Sequence, residues 1–252
     1  MTESEDEGLW IRRYHPAPGA PRQLVCFPHA GGSASFFHPV SAQLSSTAEV
    51  LCVQYPGRQD RRGETSPDDI ATMADQVYGA LRGALRSGRT AFFGHSMGAT
   101  VAFEVARRYE QDGGELTRLF ASGRRAPSRY REEENVHLKD DDGVVEELKR
   151  LAGTDSSLLG DEEILRMILP ALRSDYKAAE TYRCEPGAAV EAPVTALTGD
   201  DDPKTSLDEA EDWRQHTKGD FDLKVFPGGH FYLGPKAADV IALLREHLKV
   251  GV

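Results

Sequence analysis

The run from Thr90 to Gly98, TAFFGHSMG, constrains the fold more than any other part of the chain. Ala91-Phe92-Phe93 suits a buried strand, and Ala99 to Glu110, ATVAFEVARRYE, suits a helix with Val101, Val105 and Tyr109 on one face. Between them, Gly94-His95-Ser96-Met97-Gly98 leaves room only for the tightest turn from strand to helix. A side chain at either flanking glycine of such an elbow would collide with the neighbouring strand or helix, and the strain lifts the serine hydroxyl clear of the backbone. Ser96 is therefore the candidate nucleophile. The five-residue pattern is common on its own; its weight comes from strand, elbow and helix appearing in the required order.

The rest of the chain repeats that alternation. Gln23 to Phe27, Val50 to Gln54, Leu116 to Ser122, Ala192 to Leu197 and Phe221 to Phe226 read as further strands. Helical periodicity separates them, as in Ile70 to Arg86, and a last helix is expected over Ala237 to Lys249. Such a pattern predicts an α/β fold, a mostly parallel central sheet with helices on both faces. Leu9 to Tyr14 can add an edge strand. About 70 residues separate the LFAS and APVTAL strands, too many for a simple crossover. This insertion, at about residues 128–187, carries Gly143 to Leu151 at helical spacing. A second helix follows over Asp161 to Tyr182, with Ile164, Leu165, Ile168, Leu169, Leu172 and Tyr176 on one stripe. Pro170 is expected to kink or break it near Leu169. The insertion is either a satellite hairpin packed on the core or a lid lined for an apolar chain; leaving the sheet from the carboxyl end of a strand favours the lid. Ile164, Ile168 and Leu172 are its candidate substrate-facing residues.

Composition sets the class of partner. The chain of 252 residues has a formal net charge of -11, which argues against nucleic acid, and no basic amphipathic helix suggests a membrane surface. Cys26, Cys52 and Cys184 form no CxxC or Cys/His metal pattern and read as reduced thiols. MTESEDEGLW is acidic where a secretion signal is basic and then apolar. A cytoplasmic location is expected, with residues 1–8 a disordered acidic leader and 9–252 one domain carrying the insertion.

A serine hydroxyl needs a base to take its proton and a carboxylate to fix the base's tautomer. His230 follows the last strand in FPGGHFYL, on a Gly-Gly turn that frees the ring to reach across the sheet's carboxyl edge. His95 lies inside the elbow and is expected to be buried, whereas His15, His137, His216 and His247 fall in polar contexts. For the carboxylate, Asp200-Asp201-Asp202-Pro203 leaves the choice open on composition alone. Pro203 stiffens the chain after Asp202, and α/β hydrolases commonly place their acid at the end of a strand-Gly-x-x-Asp turn. The order Ser96, Asp202, His230 is also the order of that fold. An oxyanion needs two N–H donors, one from Met97 and one from the loop after an early strand, where Ala30 in FPHAGG is the best candidate. Gly31 and Gly32 let the backbone approach a substrate closely.

Taken together, FPHAGGSASFF at 27–37, QYPGRQDR at 54–61, GHSMGA at 94–99, LTGDDDPK at 197–204 and FPGGHFYL at 226–233 resemble one family, the type II thioesterases of polyketide synthase and nonribosomal peptide synthetase pathways. The resemblance covers the chain after about Leu9 and implies the α/β-hydrolase fold with a helical lid. It implies that Ser96 attacks a thioester on the phosphopantetheine arm of an acyl or peptidyl carrier protein, that His230 shuttles the proton and that Asp202 orients it. Ala30 and Met97 match the family's oxyanion hole. No metal or cofactor is called for, and a monomer is expected. Removal of stalled or misprimed acyl groups is the usual role; a few relatives release medium-chain fatty acyl products. Because carrier proteins are themselves acidic, Arg58, Arg61, Arg62, Arg124, Arg125, Arg129 and Arg131, which follow two strands at the carboxyl edge, are candidates to receive the carrier or its phosphate; ordinary ion pairs with the many nearby acids are an equal alternative. The rival readings are a general carboxylesterase or lipase, a haloperoxidase-like enzyme, and a silent hydrolase fold that only binds a synthase.

Overall fold

The computed structural model describes residues 8–152 and 162–249. Seven strands, β1 (Ile11–Arg12), β2 (Arg22–Phe27), β3 (Ala48–Val53), β4 (Thr90–His95), β5 (Leu116–Ser122), β6 (Val194–Gly199) and β7 (Phe221–Phe226), form one sheet in the order β1-β3-β2-β4-β5-β6-β7. Only β1 runs antiparallel to its neighbour. The helices are α1 (His38–Leu44), α2 (Ile70–Leu81), α3 (Met97–Gln111), α4 (Asp141–Ala152), α5 (Glu162–Thr181), α6 (Leu207–Glu211) and α7 (Ala237–His247). The fold class follows the alternation of the sequence, and the sheet with its flanking helices is the α/β-hydrolase architecture. Among the described residues no helix is long and apolar enough to cross a membrane.

Strand residues supply both cores because successive side chains point to opposite faces. Val25, Phe27, Leu51, Val53, Phe92, Leu119 and Ala121 pack with Met73, Val77, Val101 and Val105 of α2 and α3. Their alternates Leu24, Cys26, Val50, Cys52, Phe93 and Phe120 pack with Leu44 of α1 and Val240, Ile241 and Leu244 of α7. Both faces are covered, which is why the central strands read as near-continuous apolar runs. Cys26 and Cys52 are buried free thiols and Cys184 is a half-buried one.

After β3 the chain crosses β2 to enter β4, so the direction of winding reverses between β2 and β4. Phe27 aligns with Gly94 across that pair, and the loops carrying Ala30 and Met97 therefore leave the sheet side by side. Gly199 aligns with Phe226, which brings the Asp202 and His230 turns to the same edge.

The insertion folds as α4 and α5 around a third cluster of Val136, Val144, Leu169, Leu172 and Tyr176, with Ala30 packed against it. Of the kink or break expected at Pro170, the break does not occur: α5 runs through it from Glu162 to Thr181. Pro170 lies on the exposed side, while Leu169, Ala171 and Leu172 are buried. Packing of those neighbours outweighs the one backbone hydrogen bond that a proline removes. The leader residues 1–7 and the side chain of Ile164 lie outside the described residues.

Candidate active site

Ser96 sits at φ 54 and ψ -122, a left-handed conformation rare for any residue with a side chain. Its own N–H donates to Ser122 O at 2.8 Å, which ties the elbow to β5. The flanking glycines are obligatory for close approach. A Cβ on Gly94 would stand 2.2 Å from Gly98 O, and one on Gly98 would stand 2.1 Å from Phe27 O. Elbow, α3 and the end of β2 thus press backbone against backbone, and the hydroxyl is the part left to face outward.

His230 Nε2 lies 3.0 Å from Ser96 Oγ, and His230 Nδ1 lies 3.0 Å from both carboxylate oxygens of Asp202. An ionised carboxylate only accepts, so Nδ1 carries the proton and donates it to Asp202; Nε2 of the neutral ring is left as acceptor for the serine hydroxyl. The Asp202 side chain is fully buried and also accepts from Lys204 N at 2.8 Å. Its neighbours divide differently: Asp200 and Asp201 are exposed, and Asp200 Oδ1 accepts from Gly228 N at 2.8 Å, bracing the turn before His230. Burial and geometry separate three acids that composition leaves equivalent.

Behind this row stand two more imidazoles. His95 is fully buried, with Nδ1 at 2.9 Å from Ser122 Oγ, which in turn lies 2.6 Å from Tyr232 OH. Burial first, then His230 and His29, hold the His95 pKa well below its ordinary value. His29, whose ring packs edge-on against Phe36 and Phe231, is lowered to about 3 by burial, His230 and Arg58. Both stay neutral near pH 7, so neither competes with His230 as a proton acceptor.

A measurable acid sensitivity follows. The unfolded chain binds protons on these histidines near pH 6.5 while the folded one does not, so the stability they contribute is present above about pH 6.5 and is lost as pH falls, for His29 down toward about 3. Each group removes up to about 1.4 kcal/mol of unfolding free energy per pH unit in that window. Urea unfolding at pH 7, 6 and 5 is expected to show this decline, above the range where ordinary carboxylates titrate. A flat profile would mean that the rings are protonated in the fold.

Ser96, His230, Ala30 and Met97 line a cavity of about 280 Å³. The insertion contributes Leu148 and Leu151 from α4, Ile168, Leu172, Tyr176, Ala179 and Glu180 from α5, and Glu134 before them. Ile168 and Leu172, singled out from the stripe, thus share a chamber with the serine. Gly31, at φ 72, packs so closely against α5 that a Cβ there would meet Leu172 Cδ1 at 2.8 Å. That glycine serves contact with α5 rather than only access for a ligand.

Of the two readings of the arginines, ordinary ion pairing is the one that most of them follow. Arg58, Arg61 and Arg125 are 6%, 4% and 2% exposed. Arg58 pairs with Asp175, Arg61 with Glu64 and Arg125 with Glu134. Arg124 is half-buried in the cavity wall, donating to Thr100 Oγ1 and Ala179 O, with its pKa drawn down to about 10 by burial and by Arg125. Arg129 and Arg131 pair with Asp212 and Glu209. Only Arg62 and Arg129 are exposed. A basic run after a strand reads as a surface patch until tertiary structure supplies its acids. His216 is likewise buried rather than polar-facing, with Nδ1 2.8 Å from Ala188 O.

Asp175 was not singled out by the sequence reading. It is fully buried on α5, and Asp175 Oδ2 accepts from Gly31 N at 2.7 Å while both its oxygens accept from Arg58 at 2.9 Å. A carboxylate within the apolar stripe, between Leu172 and Tyr176, was the available signal, because such a residue is rarely buried without a partner.

A strained serine after the central strand, an imidazole and a buried carboxylate in that chain order, on the carboxyl edge of this sheet, define an α/β-hydrolase with the geometry of a serine hydrolase. The chain belongs to the thioesterase domain family, whose model matches residues 22–248. It is 56% identical over 232 residues to the probable cadicidin biosynthesis thioesterase of Streptomyces griseus, covering 92% of this chain and 64% of that protein. Thioesterase PikA5 of Streptomyces venezuelae is 51% identical over 246 residues, covering 97% of this chain and 87% of the relative. Among solved structures, the type II thioesterase BorB from the borrelidin biosynthetic cluster superposes with a TM-score of 0.90 at 52% identity, covering 96% of this chain and 98% of that one.

Proposed function

We propose that this chain is a stand-alone type II thioesterase that hydrolyses acyl thioesters from the phosphopantetheine arm of acyl or peptidyl carrier proteins in polyketide or nonribosomal peptide biosynthesis, acting as a monomer in the cytoplasm. The reading takes residues 9–252 as one hydrolase domain with a lid inserted at about 128–187. The observation that carries it is the hydrogen-bonded row Ser96, His230, Asp202 opening into an apolar chamber roofed by α4 and α5. The kinship with biosynthetic thioesterases supports the substrate class.

In this mechanism Ser96 Oγ attacks the thioester carbonyl as its proton passes to His230 Nε2, and the Asp202 carboxylate stabilises the imidazolium. The amides of Ala30 and Met97 face the developing oxyanion. Collapse of the tetrahedral adduct breaks the C–S bond, and His230 returns the proton to the departing thiolate. Water, deprotonated by the same imidazole, then releases the carboxylic acid and frees the serine. A thioester carbonyl is weakly resonance-stabilised, so these groups suffice.

The deciding experiment is hydrolysis of acetyl to decanoyl groups loaded on a phosphopantetheinylated carrier protein, beside the same groups as p-nitrophenyl esters. Turnover of short acyl-carrier substrates is expected, as removal of misprimed groups requires. A maximum at medium length would instead assign product release, and activity on free esters alone would overturn the carrier assignment.

A further inference from the structure

We infer that Arg58 and Asp175 are positioning residues that hold the Ala30 amide as a donor to the oxyanion; this rests on the proposed serine-hydrolase function. The loop from Pro28 to Ala34 contains two consecutive glycines and no regular structure through Ser33, so its free conformational range is wide. A preorganised donor requires that range to be removed before substrate arrives.

Three bonds from outside the loop remove it. Gly31 N donates to Asp175 Oδ2 at 2.7 Å, Arg58 Nη1 donates to Gly32 O at 3.1 Å, and Ala34 N donates to Gln54 Oε1 at 2.8 Å. The first of these holds the peptide unit that joins Ala30 to Gly31, while the turn bond from Gly32 N to His29 O at 2.9 Å holds the neighbouring unit that carries the Ala30 N–H. Gln54 and Arg58 are the first and last residues of the QYPGR motif, so that motif grips the loop at two points while the lid helix α5 grips it at a third.

The guanidinium is fully committed. Arg58 Nε donates to Pro56 O at 3.1 Å, Nη1 to Gly32 O and Asp175 Oδ2, and Nη2 to Ser66 Oγ at 3.0 Å and Asp175 Oδ1. Five donors meet five acceptors, at 6% exposure for Arg58 and none for Asp175. Such a pair has one geometry, and it transmits that geometry to the loop. A lid anchor alone would need only the ion pair; the bonds to Gly31 N and Gly32 O are the additional feature, and both lie within two residues of Ala30.

The test compares two variants with the native enzyme. The double variant Arg58→Met with Asp175→Leu replaces a buried ion pair by apolar groups of similar size, a change that folds tolerate, and removes both loop bonds. Asp175→Asn keeps the shape and an acceptor for Gly31 N and serves if the double variant is insoluble. Turnover is measured per reactive serine, counted by fluorophosphonate titration, together with inhibition by an acyl boronic acid that forms a tetrahedral adduct on Ser96. The expected result for the double variant is a kcat roughly 30-fold lower with KM within about twofold, and boronic acid affinity weakened in parallel, because an oxyanion contact exists only in the tetrahedral state. For Asp175→Asn the same pattern is expected at roughly fivefold. A kcat per reactive serine within threefold of native in the double variant, or in Asp175→Asn a kcat equal to native, overturns the inference, as does a loss confined to KM. Failure of the underlying reading looks different: the native enzyme is then neither labelled by the fluorophosphonate nor inhibited by the boronic acid.

Discussion

Replacing Ser96 by Ala is expected to lower kcat on an acyl-carrier substrate by about a millionfold, the scale on which loss of a triad nucleophile acts, which corresponds to about 8 kcal/mol of transition-state stabilisation. The size of the effect comes from geometry. The hydroxyl is 3.0 Å from His230 Nε2 and lines the cavity, so its removal takes away the attacking atom that the imidazole serves. The cavity wall, by contrast, is contributed by α4, α5 and the Ala30 loop and loses nothing in the variant. Binding of an acyl-carrier substrate is therefore expected to persist within a few-fold, and thermal stability to remain near native, since Ala inherits the left-handed backbone already imposed by Gly94 and Gly98. Stopped-flow hydrolysis and a binding titration with the same loaded carrier check the two halves separately. Residual turnover within a hundredfold of native would assign the nucleophile to another group.

How much of this was legible before the structure depends on the distance over which each residue's partner lies. The strands and the elbow depend on local alternation and on glycines next to Ser96, and they emerge within a residue or two of their expected limits. Chain order then selected Ser96, Asp202 and His230, because a parallel sheet delivers the ends of β4, β6 and β7 to one edge. What stayed open or failed had a distant partner that neither a local pattern nor chain order points to. For Arg58 carrier contact and ion pairing both stood open, and only the fold brings Asp175, 117 residues onward, against it. Arg125 reads likewise until Glu134 covers it. Pro170 looked like a helix breaker because its local cost is visible and the burial of Leu169 and Leu172 that outweighs it is not. The co-occurrence of HAGG and QYPGR in one chain acquires a physical reason only when Gln54 and Arg58 are seen holding that glycine loop.

The three consecutive acids after β6 are expected to separate by orders of magnitude when each is changed to Asn. Asp202→Asn is expected to lower kcat by about ten-thousandfold, or about 5 kcal/mol. Asp202 is the acid whose two oxygens lie 3.0 Å from His230 Nδ1, and its side chain is fully buried. An Asn amide at that position can donate to Nδ1, which turns the ring to the tautomer with the proton on Nε2, and that nitrogen can no longer accept from Ser96. Geometry survives while proton acceptance is lost, so fluorophosphonate labelling of Ser96 should slow in step with kcat. Asp201→Asn should leave activity within about twofold, the usual outcome for an exposed substitution away from the site. Asp200→Asn keeps an acceptor for Gly228 N in its amide oxygen and should cost at most a few-fold, through looser bracing of the turn that carries His230. Measuring kcat, labelling rate and thermal midpoint for all three variants under one condition discriminates the roles. Equal losses at Asp200 and Asp202 would mean that the turn as a whole, rather than one carboxylate, orients the imidazole.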